Sequence, residues 1–280
     1  LLPRVELVEV PFFPQEEYQC GPAALATVLA DQKRAVTPGD LVSQVYVPER
    51  KGSLQIEMLA AARRHGMVSY ELAPSMEAML RELAAGNPVI VLQDVGIWPF
   101  ENWHYAVAVG YDLASGDVVL RSGKVRRRVL SIAVHEYFWR RSGYWAMVAL
   151  PPDRIPATAS ESRWLWALAA FERADAHRSR TGYEAFLARW PGNIVAMVGL
   201  ANSHHASGDL GAAESTLRRA HQHEPDSVVV LNNLAQTLSD QGRHEEALAF
   251  AERAVAAGGP FAAAARDTRD LIRARLVPKP

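Results

Sequence analysis

Two residues of types that do nucleophilic chemistry stand out by position. Cys20 is the only cysteine in the 280 residues. It lies in Gln15-Glu16-Glu17-Tyr18-Gln19-Cys20-Gly21-Pro22, just ahead of Ala23 to Leu29. Leu25, Val28 and Leu29 recur at helical spacing, which predicts a helix from about Pro22 to Ala30. Pro22 suits the first turn, where no backbone donor is needed. Cys20 is therefore expected at or just before a helix N-terminus, where the dipole and free N–H groups favour a thiolate. A lone cysteine is also commonly a small buried thiol at a loop–helix junction. His104 opens Trp103-His104-Tyr105-Ala106-Val107-Ala108-Val109-Gly110-Tyr111, whose β-branched and aromatic content predicts a buried strand. A strand-end histidine can be satisfied by a backbone hydrogen bond alone. Taken together, a cysteine on a helix start and a histidine on a distant strand are the two parts of a thiol–imidazole pair.

Gln15 precedes Cys20-Gly21 by five, and His104-Tyr105-Ala106-Val107-Ala108-Val109 follows much later. These two blocks resemble the papain-like cysteine peptidases that process bacteriocin leaders, also called double-glycine leader peptidases. The resemblance covers roughly residues 8–150. It implies a bacterial hydrolase with an α+β papain-like fold, Cys20 as nucleophile and His104 as general base. It also implies Gln15 as an oxyanion donor beside the Cys20 backbone N–H, with Gln19 as the competitor for that role. Cleavage in the family follows Gly-Gly or Gly-Ala. Its usual transporter segments are not in this sequence, so a stand-alone peptidase acting on a peptide or protein substrate is expected.

The family usually has an Asp or Asn some 16 residues after the histidine. Here the carboxylates on offer are Asp112 and Asp117, flanking the turn Leu113-Ala114-Ser115-Gly116. If residues 104–111 and 117–125 pair through that turn, both aspartates lie roughly 20 Å or more from His104, at about 3.4 Å per residue. His104 then faces residues 122–125, where Ser122 is the only neutral polar side chain. Ser122 orients the imidazole, or a backbone carbonyl does, or no third residue is needed.

Around these residues the chain reads as helices first and strands afterwards, an α+β order. Val5 to Val10 suggest a short strand before Pro11-Phe12-Phe13-Pro14. Thr37 caps a short helix with Pro38 in its first turn, Ser53 a helix over 53–65, and Ser75 a helix stopping at Gly86. Strands are expected at 87–93, 103–111, 117–122, from Arg126 to Ser131, and at 145–150. Arg126-Arg127-Arg128 reads as a solvated face.

Pro151 to Ser160 is a Pro-rich linker, so residues 1–150 are expected to form the peptidase-like domain and 161–280 a separate helical one. In the latter, Pro191 and Pro225, Leu200 and Leu234, Ala201 and Ala235, Gly208 and Gly242, and Ala220 and Ala254 all lie 34 apart. That period resembles tetratricopeptide repeats. Two repeats span about 193–224 and 227–258, a weaker one includes Trp164 and Tyr183, and 261–276 closes the array. Such an array binds a protein or extended peptide partner in its groove. Asn202, Asn232, Asn233 and Gln236 fall on its first helices. A peptidase-like adaptor that binds peptide without cleaving it is the rival from another class, and acyl or peptidyl transfer on the same pair is a third.

Composition sets the remaining bounds. A formal net charge of −1 gives no argument for a nucleic-acid partner. No metal or cofactor site is expected; His204 and His205 are adjacent and point to different sides of a helix, and His221 and His223 read as solvated. No apolar run approaches the roughly 20 residues that span a bilayer. The chain begins with Leu1, which fits a processed or trimmed chain; the compartment is open, with a periplasmic or membrane-anchored protein after loss of an N-terminal signal as one expectation.

Overall fold

The structure, a computed structural model, describes residues 1–15, 19–97 and 99–276. Glu16, Glu17 and Tyr18, between Gln15 and Gln19, lie outside the described residues. The chain divides into two compact units, Leu1–Asp175 and Ala176–Pro280. The first runs β1 (Arg4–Glu6), α1 (Cys20–Asp31), α2 (Pro38–Val45), β2 (Tyr46–Val47), a 3-10 turn (Pro48–Arg50), β3 (Gly52–Ser53), α3 (Gln55–Arg64), β4 (Val68–Glu71) and α4 (Met76–Ala84). It continues through β5 (Val89–Asp94), β6 (Trp103–Asp112), β7 (Asp117–Ser122), β8 (Val125–Ser131), α5 (Ile132–Arg140), β9 (Ala146–Leu150) and α6 (Glu161–Glu172).

The strands form an antiparallel sheet in the order β4-β9-β5-β6-β7-β8, with β1 added on β6. Strand alternation gives the sheet two buried faces. Ile90, Leu92, Tyr105, Val107 and Val109 pack with Leu25, Val28 and Leu29 of α1 in one core. That packing fixes the start of α1 against the start of β6. The α+β order is as the sequence predicts, with Ser75 capping α4 through Ala78 N–H at 3.1 Å. Gly86, at φ 83°, follows α4 in the left-handed region that glycine tolerates.

Three elements differ from the sequence reading. Ser53 is not a helix cap: it pairs with Tyr46 in the short β2–β3 ladder, and α3 starts only at Gln55. Edge strand β4 and helix α5 have no counterpart in that reading. α5 is a short amphipathic helix of about two and a half turns, and its start is marked by Ser131, the Oγ of which accepts Val134 N–H at 3.3 Å; that serine is the available signal.

The first unit extends past Leu150 and takes in the Pro-rich segment. Pro152 and Pro156 are buried. Thr158 donates its N–H and hydroxyl to Glu82 at 2.7 and 2.6 Å, and Arg154 donates to Asn87 at 2.6 Å. Trp164 of α6 is fully buried and meets Tyr70 edge-on, with ring centroids 5.9 Å apart. A chain cut after Leu150 leaves the buried Glu82 carboxylate without its Thr158 donors and strips the cover from Tyr70. Unpairing a buried charged group typically costs several kcal/mol. Residues 1–175 are therefore expected to unfold cooperatively at a clearly higher urea concentration than residues 1–150. Equal urea midpoints for the two fragments would show that 151–175 adds nothing to this core.

The second unit is helical: α7 (Ala176–Arg189), α8 (Ile194–Ala206), α9 (Leu210–His223), α10 (Val228–Asp240), α11 (His244–Ala257) and α12 (Ala262–Leu276). The pairs α8/α9 and α10/α11 coincide with the two 34-residue repeats. Ala201, Leu217, Leu234, Ala235, Leu238, Ala247 and Ala251 share one core, which Ile272 of α12 closes. Small residues at the repeated positions let the helices approach. His221 is not simply solvated: its ring packs edge-on against Phe250 at 5.7 Å. No helix among the described residues is long and apolar enough to cross a membrane.

Candidate active site

Cys20 is the first residue of α1, with Gln19 as the preceding cap. The position behind it is crowded. A Cβ on Gly21 would fall 2.2 Å from Ser53 Oγ, so only glycine lets β3 close over the helix start. Ser53 is held there by Tyr105, whose hydroxyl donates to the Ser53 carbonyl at 3.2 Å. The cysteine thus sits where α1, β3 and β6 meet.

Burial raises the Cys20 thiol pKa, while the backbone N–H groups of Tyr105, Gly21 and Cys20 itself, aimed at the sulfur, pull it down. The Tyr105 N–H belongs to the residue directly after His104. His104 Nε2 lies 2.8 Å from Ser122 Oγ, which leaves Nδ1 as the nitrogen without a hydrogen-bond partner among the described residues. Burial, and then the charge of Arg128, hold the His104 pKa down at about 4. At neutral pH the resting pair is thus an uncharged thiol and an uncharged imidazole.

Gln15 is bound on three sides. Its backbone N–H donates to Gly123 O at 3.0 Å, its Oε1 accepts Gly123 N–H at 2.9 Å, and its Nε2 donates to Tyr105 O at 3.1 Å. Nε2 carries two hydrogens, so one remains for another acceptor. The segment leading to Gln15 is strapped to the sheet by buried Arg121, whose guanidinium donates to the carbonyls of Leu7, Val8 and Val10 at 3.2–3.4 Å and to that of Arg126 at 2.8 Å. Nothing in the sequence pattern singled out Arg121, because its role depends on carbonyls more than a hundred residues away.

Gln15, Cys20 and His104 line one cavity of about 850 Å³, together with Ser53, Trp103, Tyr105 and Gly123. Ser122 is not on its wall but stands behind the imidazole. Gln19 does not line it either. Asp112 and Asp117 pair with each other at the far end of the β6–β7 hairpin. Asp112 accepts the N–H groups of Ala114 and Ser115 at 2.9 and 3.3 Å, so its role is to close the turn. Eight residues of strand, about 25 Å, separate it from His104.

Two further buried groups support the cavity wall. Asp94 pairs with Arg141 at 2.6 Å and accepts the N–H groups of Gly96 and Asn102 at 2.9 and 2.8 Å, pinning both ends of the loop before His104. Gln93, opposite His104 in the β5–β6 register, lies 3.2 Å from His135 Nδ1. His135 is fully buried, and burial holds its pKa at about 4.

These two histidines set an acid limit. Each binds protons at about pH 6.5 when unfolded but near 4 when folded, so between those values the unfolded state holds more protons. Their contribution to stability is complete above pH 6.5 and is lost as pH falls towards 4. The size is about 3 kcal/mol for each. Urea titration at pH 7.5 and 4.5 is expected to show a large acid loss for the wild type and a smaller one for His135→Gln. Identical losses would mean that His135 is not buried in its neutral form.

In the second unit, a cavity of about 220 Å³ is lined by Asn202, His205, Asn233 and Gln236. Asn233 donates to Asn202 Oδ1 at 3.3 Å, and Asn232, on the same helix, does not line it. His205 is tied to Asp240 at 2.9 Å, whereas His204 turns to Asp209. Among the described residues, no group of three or more His, Cys, Asp and Glu side chains is placed to hold a metal ion.

Three solved structures resemble part of the chain. A protein described as a C39-like peptidase from Bacillus anthracis is 17% identical over 52% of this chain and 97% of its own, with a TM-score of 0.44. A double glycine motif protease from an AMS/PCAT transporter, solved with the leader peptide, is 20% identical over 51% of this chain and 93% of its own, with a TM-score of 0.39. The peptidase domain of Streptococcus ComA, a bi-functional ABC transporter, is 18% identical over 51% of this chain and 99% of its own, with a TM-score of 0.43. No curated protein matches the chain. The sequence model of the Peptidase_C39 like family matches residues 7–143, and that of the tetratricopeptide repeat matches residues 204–266. By these matches the first unit carries a Peptidase_C39 like sequence and the second a tetratricopeptide repeat sequence.

Proposed function

We propose that the protein is a cysteine endopeptidase of the double-glycine leader type, with Cys20, His104, Gln15 and Ser122 as its working residues. The observation that carries the reading is that Cys20, His104 and Gln15 line one cavity, with His104 bonded through Nε2 to Ser122. In this scheme Nε2–H donates to Ser122 Oγ and Nδ1 is the base. The thiol proton passes to Nδ1 as the sulfur attacks the peptide carbonyl. The carbonyl oxygen, now an oxyanion, accepts hydrogen bonds from the Cys20 N–H and the free N–H of Gln15 Nε2. The C–N bond breaks, and the amine leaves with the proton from Nδ1. Water then attacks the thioester, giving its proton to Nδ1, and the thiol is restored.

Because the resting pair is uncharged, His104 acts as a general base during attack rather than holding a preformed thiolate. The tetratricopeptide repeats serve to dock the substrate or a partner protein. Cleavage after Gly-Gly or Gly-Ala is the first specificity to test, with a peptide library varied around those pairs and products read by mass spectrometry. Products ending in the small pair, formed by the wild type and not by Cys20→Ala, support the reading. A chain that binds library peptides but never cleaves them fits instead the adaptor, which the burial of an uncharged Cys20 and His104 favours.

A further inference from the structure

Charge is unevenly placed around the cleft. The charged residues on its wall are Arg50, Lys51, Lys124, Arg141 and Glu101. Arg141 is matched by buried Asp94. Glu101 is exposed and accepts the Trp103 indole N–H at 3.2 Å. Arg50, on the 3-10 turn before β3, and Lys124, in the turn between β7 and β8, are both exposed and have no ion-pair partner among the described residues. They stand on elements flanking the site: β3 packs on α1 beside Gly21, and Gly123, next to Lys124, is the residue that holds Gln15. The whole chain is close to neutral, with a formal net charge of −1. The cationic excess is therefore a local property of this wall, and a local excess of one sign of charge focuses the field on what enters the cleft.

We infer that the cleft selects peptides carrying Asp or Glu side chains flanking the scissile bond, with Arg50 and Lys124 as the specificity-determining residues. The inference rests on the peptidase reading for the word scissile, but the binding preference stands on the lining alone. Each exposed charge contact changes affinity about two- to fivefold, so two of them give about tenfold. Such contacts weaken with salt, because exposed charges are screened over about 10 Å at 0.1 M.

The test uses the full chain with Cys20→Ala and three labelled peptides that share one Gly-Gly centre and carry Glu, Gln or Lys on its flanks. Fluorescence anisotropy gives Kd at about 50 mM and about 300 mM salt, and the wild type gives kcat/KM for the same peptides. The expected order is Glu tighter than Gln, and Gln tighter than Lys, with about a tenfold step from Gln to Glu that shrinks at the higher salt. Arg50→Ala with Lys124→Ala is expected to flatten the order, and Arg50→Glu with Lys124→Glu to invert it. Equal binding of the three peptides, tighter binding of the Lys peptide, or no binding of any would overturn the inference. A Glu preference in binding without cleavage by the wild type supports the inference and removes the peptidase reading. Cleavage of all three peptides at one rate does the reverse.

Discussion

Hydrolysis by the Cys20→Ala variant is expected to fall to background, and His104→Ala to slow it about 100- to 10,000-fold. The informative comparison lies in the controls. Ser122→Ala removes one neutral hydrogen bond to Nε2, which contributes about 1 kcal/mol, and is expected to slow the reaction roughly fivefold. It also frees the ring to take the wrong tautomer, so its pH–rate profile is expected to shift along with the rate. Asp112→Asn and Asp117→Asn are expected to leave the rate almost untouched, because both close the turn at the far end of the hairpin. Loss of a true third catalytic residue costs on the order of 10,000-fold. A drop of that size in either aspartate variant would contradict the placement of Ser122 behind His104.

Gln15→Ala is the second large effect. Removing the oxyanion donor is expected to lower kcat about 100- to 1000-fold. KM is expected to change little, since the ground-state carbonyl needs that donor less than the oxyanion does. The same substitution also unpairs Gly123 N–H and Tyr105 O, costing about 1–3 kcal/mol of stability. The two roles separate by measurement. A purely structural glutamine lowers the unfolding midpoint while kcat, measured well below that midpoint, stays near the wild-type value. Gln19→Ala serves as the control, since Gln19 does not line the cleft.

Much of the site could be read from local chemistry. Leu25, Val28 and Leu29 announce α1 and hence the place of Cys20. The turn Leu113 to Gly116 is local, so it fixes the β6–β7 pairing and sends Asp112 and Asp117 away from His104. Other parts depend on partners distant in sequence. Arg121 reads as one more strand residue until the carbonyls of Leu7, Val8 and Val10 arrive. Ser53 looks like a helix cap because a serine before an apolar run usually is one. A two-residue ladder with Tyr46 and the missing Cβ of Gly21 place it in a strand instead. The Pro-rich segment reads as a linker by composition. Its burial follows from Glu82, a carboxylate on α4 that finds its donors in Ala157 and Thr158.

The electrostatics of the pair carry a consequence of their own. A preformed thiolate–imidazolium pair reacts with alkylating agents even in mild acid. Here burial acts on both groups in the direction of the neutral form, and Arg128 adds to it at His104. Among the described residues no carboxylate bonds the imidazole, and the neutral Ser122 hydroxyl stabilises the charged ring only weakly.

A cysteine peptidase working through Cys20 forms a bond between its sulfur and the substrate acyl group. Acid quench of the wild type during turnover of a cleaved peptide, followed by digestion and mass spectrometry, detects that bond. The expected result is a thioester on the peptide containing Cys20, carrying the N-terminal half of the substrate and absent in Cys20→Ala. Turnover at the wild-type rate in Cys20→Ala, with no acyl mass on the wild-type peptide under any quench time, would contradict it.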